Sequence, residues 1–215
     1  MRIARHGWVV IARSLVAAAV ALLLTRWPGF SPAAEVLAVL ALASAGFAAY
    51  FFRDPDRPLP EDPDTLYATG DGRVLSIAHE GLGAEVTVRV FLSIFNVHIQ
   101  RAPCAGTVQD AEYIKGSFRA AMAAAARGNE RCVLRIQPEG REQVVVVEQI
   151  AGLIARRIEC WVGQGDRVAA GQRYGMIHYG SQVAMTLPAE AQVLVSVGDR
   201  VEAGITPLAR WTDRP

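Results

Sequence analysis

Two apolar stretches near the N-terminus limit what this chain can fold into more than any other feature. Trp8 to Leu24 and Val36 to Phe52 are separated by Thr25-Arg26-Trp27-Pro28-Gly29-Phe30-Ser31-Pro32, a break that no continuous helix tolerates. The pattern reads as a helical hairpin. Each stretch is slightly short against the ~20 residues that cross a bilayer, and Arg13 interrupts the first, so tilted or shallow insertion competes with full crossing. Arg2, Arg5 and Arg13 flank one side and Arg53 and Arg57 the other, which suits a hairpin in the cell membrane with both ends cytoplasmic. Trp8, Trp27, Tyr50, Phe51 and Phe52 suit the interfaces. The alternative is a secretory signal peptide, with Val16 to Leu24 as its apolar region and Ala33-Ala34 near a cleavage site; a second apolar stretch directly afterwards speaks against it.

Beyond the hairpin the chain changes character. Hydrophobic residues make up 52% of the sequence, but their excess lies before residue 53. Asp54 to Pro63 is rich in proline and charge, which holds it extended as a linker. The expected organisation is a membrane-associated hairpin over 1–53, a linker over 54–64 and one domain over 65–215. A net charge of +1 gives no clustered basic face for nucleic acid. Cys104, Cys132 and Cys160 are three in number with no close pair, which supports neither a disulfide framework nor a Cys-x-x-Cys metal site.

The domain reads as α+β and mainly β. Glu85 to Phe91 alternates with period two, and Cys132 to Ile136 and Gln143 to Ile150 are β-branched runs bounded by turn residues. Ser117 to Arg127 is the one helix expected there, its alanine run ending at Gly128. Gly165-Asp166-Arg167-Val168-Ala169-Ala170-Gly171 returns as Gly198-Asp199-Arg200-Val201-Glu202-Ala203-Gly204. The copies suggest two related β-hairpin units in a small barrel-like sandwich. This half resembles the lipoyl and biotinyl carrier fold, which needs a modifiable lysine between its halves. The only lysine, Lys115, lies outside the repeat, and Tyr179-Gly180-Ser181 occupies the corresponding region.

Four histidines are present. His6 precedes the membrane segment and His79 sits in an expected turn beside Glu80, so both read as solvated; His178 lies close to Ser181 as support or bystander. His98 stands within Phe91 to Pro103, where apolar strand residues meet a polar cluster. Taken alone it is structural more often than catalytic. It has two candidate partners: Asp71, in the tight turn Gly70-Asp71-Gly72, and Ser181, preceded by Gly180. In such a set the acid orients the imidazole and the imidazole takes the serine proton. Spacing alone does not bring the three together, and Asp71 on its own reads as a turn residue.

Phe91 to Pro103, Asn129-Glu130-Arg131, Gln149 to Ile158 (QIAGLIARRI) and Gly171 to Pro188 (GQRYGMIHYGSQVAMTLP) together resemble the short bacterial and archaeal type of phosphatidylserine decarboxylase. The resemblance covers most of residues 50 to 208, and the hairpin ending in Phe51-Phe52-Arg53-Asp54-Pro55 is similar too. It implies a proenzyme that cuts itself between Gly180 and Ser181 into chains 1–180 and 181–215, which stay together as a heterodimer. Ser181 becomes a covalent pyruvoyl cofactor, an electron sink for decarboxylation. It also implies that His98 with Asp71 activates Ser181, and that the partners are phosphatidylserine and the lipid surface. Other branches carry a second histidine where this chain has Arg101, which leaves the later proton donor unassigned. Ile94 and Gln182 also depart from the family's common proline and arginine. Three rival readings are a membrane-tethered, non-enzymatic lipoyl-like adaptor, a degenerate decarboxylase that never cleaves, and the same chemistry on an archaeal-type ether lipid. Oligomeric state stays open.

Overall fold

The computed structural model describes residues 2–27, 29–80, 85–120, 122, 126, 128–154 and 157–212. The chain divides into two compact units, Met1–Asp56 and Arg57–Pro215.

In the first unit β1 (Arg2–Ile3), α1 (Arg5–Leu24), α2 (Ser31–Phe51) and β2 (Arg53–Asp54) follow in order. A proline in the first turn of α2 is tolerated because its missing N–H is unpaired there anyway. Pro28, within the expected break, lies outside the described residues. The helices meet through small side chains. Ala18 and Ala21 of α1 and Ala34, Ala38, Ala45 and Ala48 of α2 are buried, and Ser14 Oγ lies 3.1 Å from Ser44 Oγ. The large apolar residues Val16, Val20, Leu22, Leu23, Val36, Leu37, Val39 and Leu40 point outward instead. A helix pair in water buries its large side chains, whereas small residues inside and large ones outside is the pattern of helices packed in lipid. Both helices are long and apolar enough to cross a membrane. Pairing of Arg2 with Asp54 and of Ile3 with Arg53 ties the two ends together.

Among the described residues of the second unit, the regular elements are almost entirely strands. Its elements are β3 (Thr65–Tyr67), β4 (Gly72–His79), β5 (Val86–Leu92), β6 (Ile99–Arg101), β7 (Gly106–Ile114), β8 (Arg131–Pro138), β9 (Val145–Ile150), β10 (Arg157–Cys160), β11 (Arg167–Val168), β12 (Arg173–His178), β13 (Ser181–Leu187), β14 (Ala191–Val193), β15 (Arg200–Val201) and β16 (Pro207–Trp211). Eight form one sheet in the order β11-β7-β8-β9-β13-β5-β4-β15; β10-β12-β6 and β14-β16-β3 form two smaller sheets. Alternation sends Val88, Val90 and Leu92 of β5, with Val183, Met185 and Leu187 of β13, into one core with Val74, Leu134, Ile136 and Ile177.

The three strand runs expected from the sequence become β5, β8 and β9. At Ser117 to Ala120 the expected helix does not begin: Ser117 bridges Asn129 instead. The Asn129 amide accepts from Arg119 N–H at 2.9 Å and donates to Arg119 C=O at 2.8 Å, using backbone groups that a first helical turn would need. Residues 121, 123–125 and 127 of that segment lie outside the described residues. Part of the segment read as a linker is hydrogen-bonded to the strand domain. Asp62 accepts from Thr65 Oγ1 and Arg210, and Arg57 reaches into the strand domain, as described below.

The sequence repeat is a structural repeat. Gly165 N–H donates to Val108 O while Val108 N–H donates to Asp166 O; Gly198 and Asp199 make the same two bonds with Val74. Asp166 and Asp199 each cap their own turn at 2.8 Å. Neither copy is a hairpin on its own predecessor: β11 pairs with β7 and β15 with β4, so the copies form opposite edges of the eight-stranded sheet. Gly171 and Gly204, both with positive φ, end the two copies, and a Cβ on Gly204 would lie 3.2 Å from Gly171 Cα. Contact between the two repeat ends curls the sheet into a half-barrel.

Candidate active site

Strands β12 and β13 belong to different sheets, and only Tyr179 and Gly180 connect them. Both have positive φ, 65° and 60°. For Gly180 this is free, but for a tyrosine it is strained by ~1–2 kcal/mol. Tyr179 is the only described non-glycine residue in that conformation. Burial holds its phenol above the ordinary pKa, so it stays protonated.

Ser181, the first residue of β13, sits opposite Leu92 of β5 and shares the core-facing side of the strand with Val183 and Met185. It is fully buried, and among the described residues its Oγ has no hydrogen-bond partner. An orphaned buried hydroxyl costs ~1–3 kcal/mol, and a catalytic role is one reason for a fold to keep such a group.

His98 precedes β6 and is also fully buried. Its Nδ1 lies 3.0 Å from Asn96 O, and its Nε2 accepts the Gly180 N–H at 3.2 Å. A carbonyl oxygen only accepts, so the proton belongs on Nδ1 and the lone pair on Nε2 faces the residue whose carbonyl would be attacked. The Asn96 turn is closed by Ser93, whose N–H and Oγ donate to Asn96 Oδ1 at 3.0 and 2.7 Å. The fold thus brings His98 against Gly180, the residue before Ser181.

Asp71 is placed differently from the expected relay. Its carboxylate accepts two bonds from Arg57, at 2.7 and 2.8 Å, and a third from Ala203 N–H at 2.9 Å. It does not bond His98; the Asn96 carbonyl orients the imidazole instead. Asp71 and the Ser93–Asn96 turn nevertheless line one cavity of about 670 Å³, with Arg73, Phe91, Phe95, Met122 and Arg200 also in its wall. His178, three positions before Ser181, bonds Glu159 Oε1 through Nε2 at 3.0 Å. Arg101, which stands where a second histidine was sought, is buried and donates to Gly171 O at 2.9 Å.

Sequence reasoning missed three groups. Arg57 reads as one charge in a proline-rich run, the orienting group on His98 is a backbone carbonyl without a sequence signature, and the neighbour of Ser181 has a buried tether. Arg89 binds Glu80 at 2.6–3.1 Å and donates to Gln182 Oε1 at 2.9 Å. Only the position of an arginine in the alternating strand Val86–Leu92 could have hinted at it.

A curled β domain that follows an apolar helical hairpin in the sequence, with a buried serine at a strained corner, defines a serine-centred site in a chain suited to a membrane. The family model described as phosphatidylserine decarboxylase matches residues 45–209. Curated relatives named phosphatidylserine decarboxylase proenzyme include one from Symbiobacterium thermophilum, 42% identical over 97% of this chain and 95% of its own length. Another, from Burkholderia pseudomallei, is 40% identical over 99% and 97%, and one from Burkholderia vietnamiensis is 41% identical over 96% and 95%. The chain belongs to the phosphatidylserine decarboxylase family.

Proposed function

We propose that this chain is a self-cleaving, pyruvoyl-dependent decarboxylase that converts phosphatidylserine to phosphatidylethanolamine at the cytoplasmic face of the cell membrane. The observation that carries the reading is the buried Ser181 hydroxyl, without a hydrogen-bond partner among the described residues, beside a left-handed Gly180 whose N–H rests on His98 Nε2.

The chain's own residues supply the maturation chemistry. His98 Nε2 takes the Ser181 proton as Oγ attacks the Gly180 carbonyl carbon. The peptide C–N bond breaks and the same proton passes to the departing nitrogen, leaving an ester. Removal of the Ser181 α-proton expels the Gly180 carboxylate; water then replaces the amine at position 181, ammonia leaves, and a ketone remains. The products are chains 1–180 and 181–215, which stay together as a heterodimer. The corner at Tyr179-Gly180 favours attack because its strain is relieved when the bond opens. Asp71, neutralised by Arg57, shapes the wall between cavity and repeat rather than relaying a proton.

A buried residue 181 on the core-facing side of β13 suits the pyruvoyl group, which supplies an electron sink for decarboxylation. His98 keeps a basic nitrogen at that position after cleavage; once Nε2 has taken a proton from water, it returns that proton to the product carbon and is left neutral. The two Gly-Asp repeats support a lipoyl-like ancestry for the β domain without a carrier lysine.

Intact-mass measurement of the purified full chain tests the reading. Fragments 1–180 and 181–215 are expected, the latter reactive with hydroxylamine, and Ser181→Ala and His98→Ala should remain whole. A wild-type chain that stays uncut, or a His98→Ala chain cut at the normal rate, refutes it.

A further inference from the structure

Arg73 and Arg200 stand directly opposite each other on β4 and β15. Like charges at directly opposed positions destabilise a sheet, and no ion pair offsets this one: Arg73 donates to Gly198 O at 2.6 Å, and Arg200 has no polar partner among the described residues. Both are exposed and both line the 670 Å³ cavity whose wall also holds Ser93 and Asn96, the turn whose Asn96 carbonyl orients His98. Of the two carboxylates in that wall, Asp71 is neutralised by Arg57, which leaves Glu202 against two guanidinium groups. The remaining wall is apolar, through Leu75, Phe91 and the exposed rims Phe95 and Met122.

We propose that Arg73 and Arg200 form the subsite for the phosphodiester of the lipid head group, with Phe95 and Met122 against its glycerol end. The inference rests on the decarboxylase reading. Guanidinium forks match two oxygens of a phosphodiester, and such an anion relieves the repulsion that the bare pair carries. The serine end of the head group then extends past Ser93 and Asn96 toward residue 181.

The experiment uses the full chain with phosphatidylserine in neutral detergent micelles. Arg200→Gln, Arg73→Gln and the double variant should form both fragments as the parent does. KM for micellar phosphatidylserine should rise roughly 10-fold per arginine, the loss of one charged hydrogen bond, while kcat stays within about twofold. Arg200→Lys should recover part of the loss. Glycerophosphoserine should compete with micellar substrate in the parent and about 10-fold less well in each Gln variant, and inorganic phosphate, which lacks the diester's two ends, should compete far more weakly. Arg135→Gln, which removes an exposed charge from β8, controls for general attraction to the micelle. Normal cleavage and an unchanged KM in the double variant overturn the subsite, as does an equal rise in KM for Arg135→Gln or equal competition by inorganic phosphate. A parent that neither cuts nor releases carbon dioxide overturns the underlying decarboxylase reading as well.

Discussion

Removal of Arg89 is expected to destabilise the domain well beyond the effect of an ordinary surface charge. Its side chain is 9% exposed and that of Glu80 is 11% exposed, so solvent screening offers little relief. Arg89→Met strips Glu80 of three contacts at 2.6–3.1 Å and Gln182 of one at 2.9 Å. Removing one partner of a buried pair costs ~3–5 kcal/mol, whereas replacing both with uncharged groups is often near neutral. The double variant Arg89→Met/Glu80→Gln should therefore lie within ~1–2 kcal/mol of the parent. The assay is urea unfolding of the full chain in detergent micelles, in a Ser181→Ala background so that cleavage does not blur the transition. With a slope of ~2 kcal/mol/M, the single variant should lose about 1.5–2.5 M in midpoint. In chains that retain Ser181, the single variant should also lose kcat, because Gln182 directly follows the residue proposed to become the cofactor. A single variant within 1 kcal/mol of the parent, or a double variant as unstable as the single, refutes the reasoning.

Gly180→Ala should fold but cut slowly: the nearest atom to the added methyl is Ile94 Cγ2 at 3.5 Å, so the cost is the ~1–2 kcal/mol of a left-handed alanine. Cleavage at the parent rate, followed on denaturing gels, would exclude a conformational role for this glycine. Asp62 titrates below its ordinary range, chiefly through the Thr65 hydroxyl bond, then through Arg210 and the Asp64 N–H. A depressed folded value means that its stabilisation is complete above the unfolded pKa of ~4 and fades as pH falls through the folded one. Asp62→Asn should cost less than ~1 kcal/mol at pH 7, because the side chain is 37% exposed and screened. The gap to the parent should close at lower pH in thermal unfolding; a gap that persists unchanged would refute the assignment.

The helical hairpin and the runs that become β5, β8 and β9 were legible because each rests on local periodicity, whereas only the family resemblance suggested that His98 and Ser181 act together. The small-residue seam of Ala18, Ala21, Ala38 and Ala45 was not legible, since alanine scores as apolar whichever way it faces. The sites of the two Gly-Asp copies were equally hidden: the turn chemistry was clear, but strand pairing over long sequence separations has no local signature. Asp71 shows the limit most plainly. Its turn exposes a carboxylate, and a histidine and an arginine are both chemically acceptable partners; only the fold brings Arg57 to it.

Strand β13 lies between β5 and β9 in the middle of the eight-stranded sheet, and the bond proposed to break is the one entering it. The released piece would also supply the edge strand β15 and two of the three strands in the sheet β14-β16-β3. Before the cut, folding is unimolecular; afterwards the same architecture is an interlocked complex of two polypeptides. Once mature protein is unfolded, regaining it requires an encounter between chains and depends on concentration. Maturation would thus convert a refoldable chain into one that folds effectively only once.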